Sequence, residues 1–265
     1  MPSESFEDIL SDAVSFLEGK PVITDEIISY GPLRVTVAPK EGKANTLLAD
    51  NLFSPSLLLT ERIERGLIPL RGKTVIELGA GCSLPSLASC IISDPSNVPS
   101  LVVTSDYPDP VILENLKHNI ERNQILVSPS CKLHYTGYEW GQGAQELLAF
   151  LPSGASGFEI VILSDLLHFH ASHDALIKSV SFLLKKTADA RVFVAAGKYT
   201  RPAVCSSFMD KAAEAGLTFE EHPEYKSDKD GSKWLGSLSV SDLDEEALGV
   251  RKGNCRFWVG RWRKV

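Results

Sequence analysis

Along residues 1–19, Phe6, Ile9, Leu10, Ala13, Val14 and Leu17 recur at helical spacing and Gly19 follows as a stop, which predicts a short amphipathic helix. From 26 to 38 the apolar positions Ile28, Leu33, Val35 and Val37 alternate around Gly31-Pro32, as in a small hairpin. Ser54 is placed to cap a helix with Pro55 at its first position; Leu58, Leu59 and Ile63 give that helix its apolar face, and Gly66 ends it. The pattern then changes. Short apolar runs at 74–77, 101–106, 131–138, 158–163 and 191–196 read as strands, most of them covered on both faces. Helical runs separate them. One spans 85–92, a second follows Asp109-Pro110 with Ile112, Leu116 and Ile120 inward, a third carries Leu176, Val180, Leu183 and Leu184, and a fourth runs over 202–215 to Gly216. Residues 217–221 and 255–262 read as a final antiparallel pair. Strands alternating with helices predict an α/β fold, a Rossmann-like doubly wound sheet of seven strands, parallel with an antiparallel last strand. Residues 1–50 form an N-terminal helix and hairpin cap, and 51–265 a ligand-binding domain in which the charged, glycine-bearing stretch near 224–254 is expected as a mobile loop.

Composition narrows the class. The chain is 43% hydrophobic and 23% charged, ordinary for a soluble globular protein. Its formal net charge of −7 argues against a general nucleic-acid binder. No apolar run approaches a membrane span, and the first residues do not form a signal peptide. Five scattered cysteines without a C-x-x-C pair read as reduced thiols, and the expected location is cytoplasmic.

The candidate chemistry centres on the turn after the first long strand. Glu77, Gly79, Gly81 and Ser83 fit E-x-G-x-G-x-[GS], and the third glycine of a dinucleotide fingerprint is missing, since Leu84 stands in its place. Glycines there let backbone N–H groups approach a ligand closely. Asp106 ends the next strand, where a carboxylate accepts hydrogen bonds from ribose hydroxyls or caps a turn; Asp109, before Pro110, suits the capping role better. Trp140 follows the third strand and either stacks on an adenine or packs at the rim. Beyond the fourth strand, Asp165, His168, His170 and His173 lie within nine residues. They read as metal ligands or as a carboxylate with a histidine general base. The second reading is preferred, and no metal is expected, because no thiolate joins the group and His173 falls near a helix start.

The blocks ELGAGCSLPSL, TSDYPDPVILENLKHNI, YEWG and SDLLHFHASHD together resemble the seven-strand class I S-adenosylmethionine-dependent methyltransferases of the lysine-methylating group. Within it they are most similar to the fungal nicotinamide N-methyltransferase-like proteins, over roughly residues 45 to 200. The resemblance implies S-adenosyl-L-methionine held by Glu77, Gly79, Gly81, Asp106, Trp140 and Asp165, and the expected cofactor set also takes in Phe53, Ser83 and Tyr107; Asp165, beside the methyl group by that resemblance, and His168, the candidate base, are the expected catalytic residues. It implies methyl transfer to a lysine or N-terminal amine of a protein, a translation elongation factor among the candidates. The alternatives are a small-molecule N- or O-methyltransferase and a cofactor-binding protein without methyl transfer. Two departures stand at the substrate entrance. His168 occupies the place of the group's D-x-x-Y or D-x-x-F aromatic, and Phe53 replaces a usual tryptophan.

Overall fold

Alternate residues of the central strands point to opposite faces of one sheet. Val75, Val102, Ile160, Ile162 and Phe193 enter one apolar cluster, while Ile76, Val103, Val161, Leu163 and Val194 enter the other. Because both faces are covered, the strands have no polar side and read in sequence as continuous apolar runs. The protein is seen here in a computed structural model that describes residues 27–91, 94–222, 233–241 and 243–264. The predicted helix at 1–19 lies outside the described residues.

The sheet contains β3 (Thr74–Leu78), β4 (Leu101–Asp106), β5 (Lys132–Gly137), β6 (Ile160–Ser164), β7 (Arg191–Gly197), β8 (Leu217–Glu221) and β9 (Cys255–Trp262), in the order β5-β4-β3-β6-β7-β9-β8. β3, β4, β5, β6 and β7 pair in parallel, and β9 runs antiparallel between β7 and β8. Among the described residues the helices are α1 (Gly42–Thr46), α2 (Ser54–Glu64), α3 (Leu84–Ile91), α4 (Pro110–Asn123), α5 (Gln145–Leu148), α6 (His173–Leu183), α7 (Pro202–Glu214) and α8 (Glu245–Gly253). The expected seven-stranded doubly wound sheet is what forms.

The hairpin β1 (Ile28–Tyr30) and β2 (Leu33–Val35) also forms around Gly31. Its outer edge is completed by a helix. Asn119 accepts from the Thr36 N–H at 2.8 Å and donates to the Thr36 carbonyl at 2.7 Å, and Asn123 does the same for Arg34 at 3.0 and 2.7 Å. Two amides four residues apart on α4 thus stand in for a neighbouring strand, satisfying backbone groups that burial would otherwise orphan.

Two expectations change. The helix predicted to begin after Ser54 begins at Ser54, with Phe53 at the cap position, extended backbone (ψ 151°) and no side-chain cap. The Phe53 carbonyl instead accepts from the Ser56 N–H at 3.0 Å. The stretch 224–254, expected as a mobile loop, is in its described parts a clasp. Asp244 caps α8, and residues 233–241 run beside the hairpin, with Gly31 N–H bonded to the Ser239 carbonyl at 2.8 Å. Two of the clasp's charges, Arg251 and Lys252, are buried. Lys252 pairs with Glu61 of α2 at 2.8 Å, both almost fully buried, and Glu64 accepts from Ser237 N–H, Leu238 N–H and the Tyr30 hydroxyl. The clasp therefore fixes α2, and with it Phe53.

Candidate functional site

A cavity of about 300 Å³ opens at the carboxyl ends of β3, β4, β5 and β6, where the loops of a parallel sheet diverge. Its wall contains Phe53, Gly79, Gly81, Asp106, Tyr107, Trp140, Asp165 and His168. Glu77 and Ser83, placed in the binding set on sequence, stand behind this wall.

The glycine turn is built for close approach. Gly79 and Gly81 both have left-handed backbone, φ 58° and 54°. A Cβ on Gly79 would come within 2.7 Å of Leu166 and 3.0 Å of Trp140, so the indole is seated directly against the turn. A Cβ on Gly81 would meet no protein atom within 4 Å. It would stand in the open cavity instead. The carboxylate of Asp106 secures the turn, accepting from the Gly81 N–H at 2.6 Å and the Tyr107 N–H at 2.7 Å. Burial raises its pKa above the usual carboxylate range against the pull of these two donors.

Glu77 is the anchor of the next helix. Its Oε2 accepts from the backbone N–H and the hydroxyl of Ser86, in the first turn of α3. Burial pushes its acid up to about 8, so Glu77 carries its proton at pH 7. Ser83 has φ 65° and donates its hydroxyl to Thr104 at 2.9 Å. Both residues shape the turn from behind.

The other end of the cavity holds Asp165, a non-glycine residue with φ 60°. Its Oδ1 accepts from the Gly197 N–H at 3.0 Å and its Oδ2 from the Tyr199 hydroxyl. Burial lifts its pKa to about 6. His168 is 8% exposed, and neither ring nitrogen meets a hydrogen-bonding partner among the described residues. Burial lowers its pKa to about 4. Aromatic rings line this end in series. Trp140 lies 5.8 Å from Phe169, Phe169 4.0 Å from His168, and Phe53 6.4 Å from both His168 and Tyr199.

The three histidines do not converge. His173 turns away to bond the Leu167 carbonyl at 2.8 Å and packs edge-on to Phe208. His170 and His173 border a separate concavity with Arg201 and Lys211. Among the described residues no three His, Cys, Asp or Glu side chains gather as a metal site.

Sequence reasoning missed Tyr199, Phe169 and the segment around Leu48 and Asn51 that closes the cavity. Tyr199 had one usable signal, its position just past the carboxyl end of a parallel strand. Phe169 lies inside the SDLLHFHASHD block, where the histidines drew the reading, and Leu48 and Asn51 sit in a stretch without a pattern.

Residues 50–215 match the family model described as lysine methyltransferase. The chain belongs to the lysine methyltransferase family. It is 30% identical over 192 residues to the protein N-terminal and lysine N-methyltransferase efm7 of Aspergillus fumigatus, covering 71% of each chain. It is 32% identical over 187 residues to the Schizosaccharomyces pombe protein of the same name, covering 69% of this chain and 70% of that one. A methyltransferase structure from Pyrococcus furiosus aligns over 88% of this chain and 90% of that one, at 12% identity and a TM-score of 0.49. The protein is an S-adenosylmethionine-dependent methyltransferase. This member carries His168 and Phe53 at the aromatic end of its site, and the wall of its cavity suits the cofactor. The open side of Gly81 admits a ligand against the backbone, and two carboxylates, Asp106 and Asp165, face the space a cation would share.

Proposed function

We propose that the cavity binds S-adenosylmethionine through Gly79, Gly81, Asp106, Tyr107 and Trp140, and that a protein amine, a lysine or an N-terminal α-amine, enters along the aromatic rings to Asp165. The relatives' names support a protein acceptor. The observation that carries the reading is the position of Asp165 at the end of a row of rings, Trp140, Phe169, His168 and Phe53, which suits a slender amine-bearing chain better than a broad ring system.

The bound cofactor supplies a methyl group already activated on a sulfonium. The chain then has to position the acceptor and manage one proton. An ammonium has no lone pair, so the amine must be neutral when it attacks. Asp165, mostly ionised at pH 7 with a pKa of about 6, accepts an amine N–H and attracts positive charge to the reacting end of the cavity. His168, with a pKa of about 4, stays neutral at pH 7. The sequence suggested His168 as the general base; burial disfavours its protonated form, so this reading gives the amine contact to Asp165 and leaves His168 as part of the wall. Asp106 both holds the Gly81 turn and keeps acceptor capacity on its oxygens for the ribose hydroxyls. The buried free thiols suit a reducing compartment and a cytoplasmic site of action.

The test uses methyl-labelled cofactor with peptides bearing a free or acetylated N-terminus and a free or acetylated lysine, read by mass spectrometry, with a translation elongation factor as the first whole protein. Labelling that follows the free amine supports the reading. Labelling only of a small-molecule extract overturns it.

A further inference from the structure

We propose that Tyr199 is a positioning residue for methyl transfer, holding the Asp165 carboxylate through its hydroxyl. The inference rests on the role proposed above for Asp165. Three bonds from one segment, the end of β7, fix Asp165. Its N–H bonds to the Ala195 carbonyl at 2.8 Å, its Oδ1 receives the Gly197 N–H, and its Oδ2 receives the Tyr199 O–H. These bonds hold the residue in a left-handed backbone that L side chains avoid.

Gly197 gives an independent sign that the ring is placed by the fold. Its φ is not positive, so the backbone there does not require glycine. Yet a Cβ on Gly197 would fall 2.1 Å from Cε1 and 2.4 Å from Cζ of Tyr199. The missing side chain makes room for the phenol, whose ring centre lies 6.4 Å from that of Phe53. Oδ2, the oxygen that Tyr199 holds, is also the one 3.9 Å from Nδ1 of His168. The hydroxyl therefore selects which direction of Oδ2 is left for an entering amine. It also stabilises the ionised carboxylate, opposing burial.

The titratable groups facing Asp165 are few among the described residues. They are His168 on its own loop, Tyr199 beyond β7, and the Cys205 thiol of α7, which also feels Arg256 of β9. Replacing Tyr199 removes a donor to the charged form, so the Asp165 pKa should rise.

The experiment compares wild type, Tyr199→Phe and Gly197→Ala. Carboxyl-labelled aspartate is followed by ¹³C NMR titration of the cofactor-free protein, with Asp165→Asn assigning the resonance. A hydrogen bond to a charged group corresponds to a rise of about one to two pH units in midpoint. Both variants should show it, because the alanine methyl displaces the ring. The acid limb of kcat/KM should move up by the same interval. At pH 7 kcat should fall roughly two- to tenfold from lost ionisation alone, with cofactor Kd unchanged. Wild-type midpoints in both folded variants overturn the proposal, as does an unmoved acid limb. The titration reads Asp165 without turnover, so it stands even if no protein amine is methylated, the result that would instead defeat the function proposed above.

Discussion

Nδ1 of His168 lies 3.9 Å from Oδ2 of Asp165, beyond hydrogen-bond reach yet inside the range where a charge is felt. Neither imidazole nitrogen has a hydrogen-bonding partner among the described residues, and both residues line the cavity. Asp165→Asn should therefore keep cofactor affinity and lose about 10²–10⁴ in turnover. His168→Phe, which restores the family's aromatic, should lose less than tenfold, because an imidazole with a pKa of about 4 is a poor base at pH 7. Single-turnover rates beside calorimetric Kd values check both. A His168→Phe loss as large as that of Asp165→Asn would return the base role to the histidine.

The glycine turn and Asp106 should fail in distinguishable ways. Gly81→Ala places a methyl in the cavity and should weaken cofactor binding while the fold persists at a strain cost of about 1–2 kcal/mol. Gly79→Ala meets Leu166 and Trp140 as well, so thermal stability should fall further. Asp106→Ala should weaken binding by roughly 10- to 150-fold, the value of one charge-assisted hydrogen bond of about 1.5–3 kcal/mol. Calorimetry and melting curves separate the three.

Glu77 should make stability depend on pH. Its folded pKa of about 8 exceeds the ordinary 4.5, so the folded state binds its proton more tightly than the unfolded chain. The contribution to stability is fully present below about pH 4.5 and is lost as pH rises through about 8. Glu77→Gln keeps the neutral form and removes this dependence. Its stability relative to wild type should rise between pH 5 and pH 8, by an amount on the order of 3–5 kcal/mol at the upper end. Denaturant titrations across that window decide it, and parallel pH curves for the two proteins would show that Glu77 does not titrate this way.

The buried Lys252–Glu61 pair should tolerate joint removal better than single removal. Lys252→Met leaves the Glu61 carboxylate only the Leu235 N–H and Arg65 at 3.8 Å and should cost up to about 3–5 kcal/mol, whereas Lys252→Met with Glu61→Leu should recover much of it. Chemical unfolding of Lys252→Met, Glu61→Leu and the double variant beside wild type closes the cycle. Because Glu61 lies on α2 behind Phe53, Lys252→Met should also raise the KM for the acceptor.

How much of this was legible beforehand follows from what each signal depends on. Continuous apolar runs such as Val102 and Val103, the cap at Asp109, and the glycines at 79 and 81 are set by local backbone chemistry and by burial on both sheet faces. They act over a few residues, so a single chain displays them, and with them the sheet and the ligand end. The cap at Ser54 was misplaced by one residue because a backbone bond from Ser56 to Phe53 does what a hydroxyl was expected to do. The stretch 224–254 read as a solvated loop because charge in sequence carries no address; only folding brings Lys252 to Glu61 and Ser237 to Glu64. The reactive end of the site is the extreme case. Phe53, His168 and Tyr199 come from three segments far apart in the chain, and their meeting around Asp165 is fixed by the crossing of α2 over the sheet and the parallel pairing of β6 with β7. The chain alone named Asp165 and His168 as chemistry. Their basicities, about 6 and about 4, belong to the tertiary structure, because burial and the Tyr199 and Gly197 donors exist only once the chain has packed.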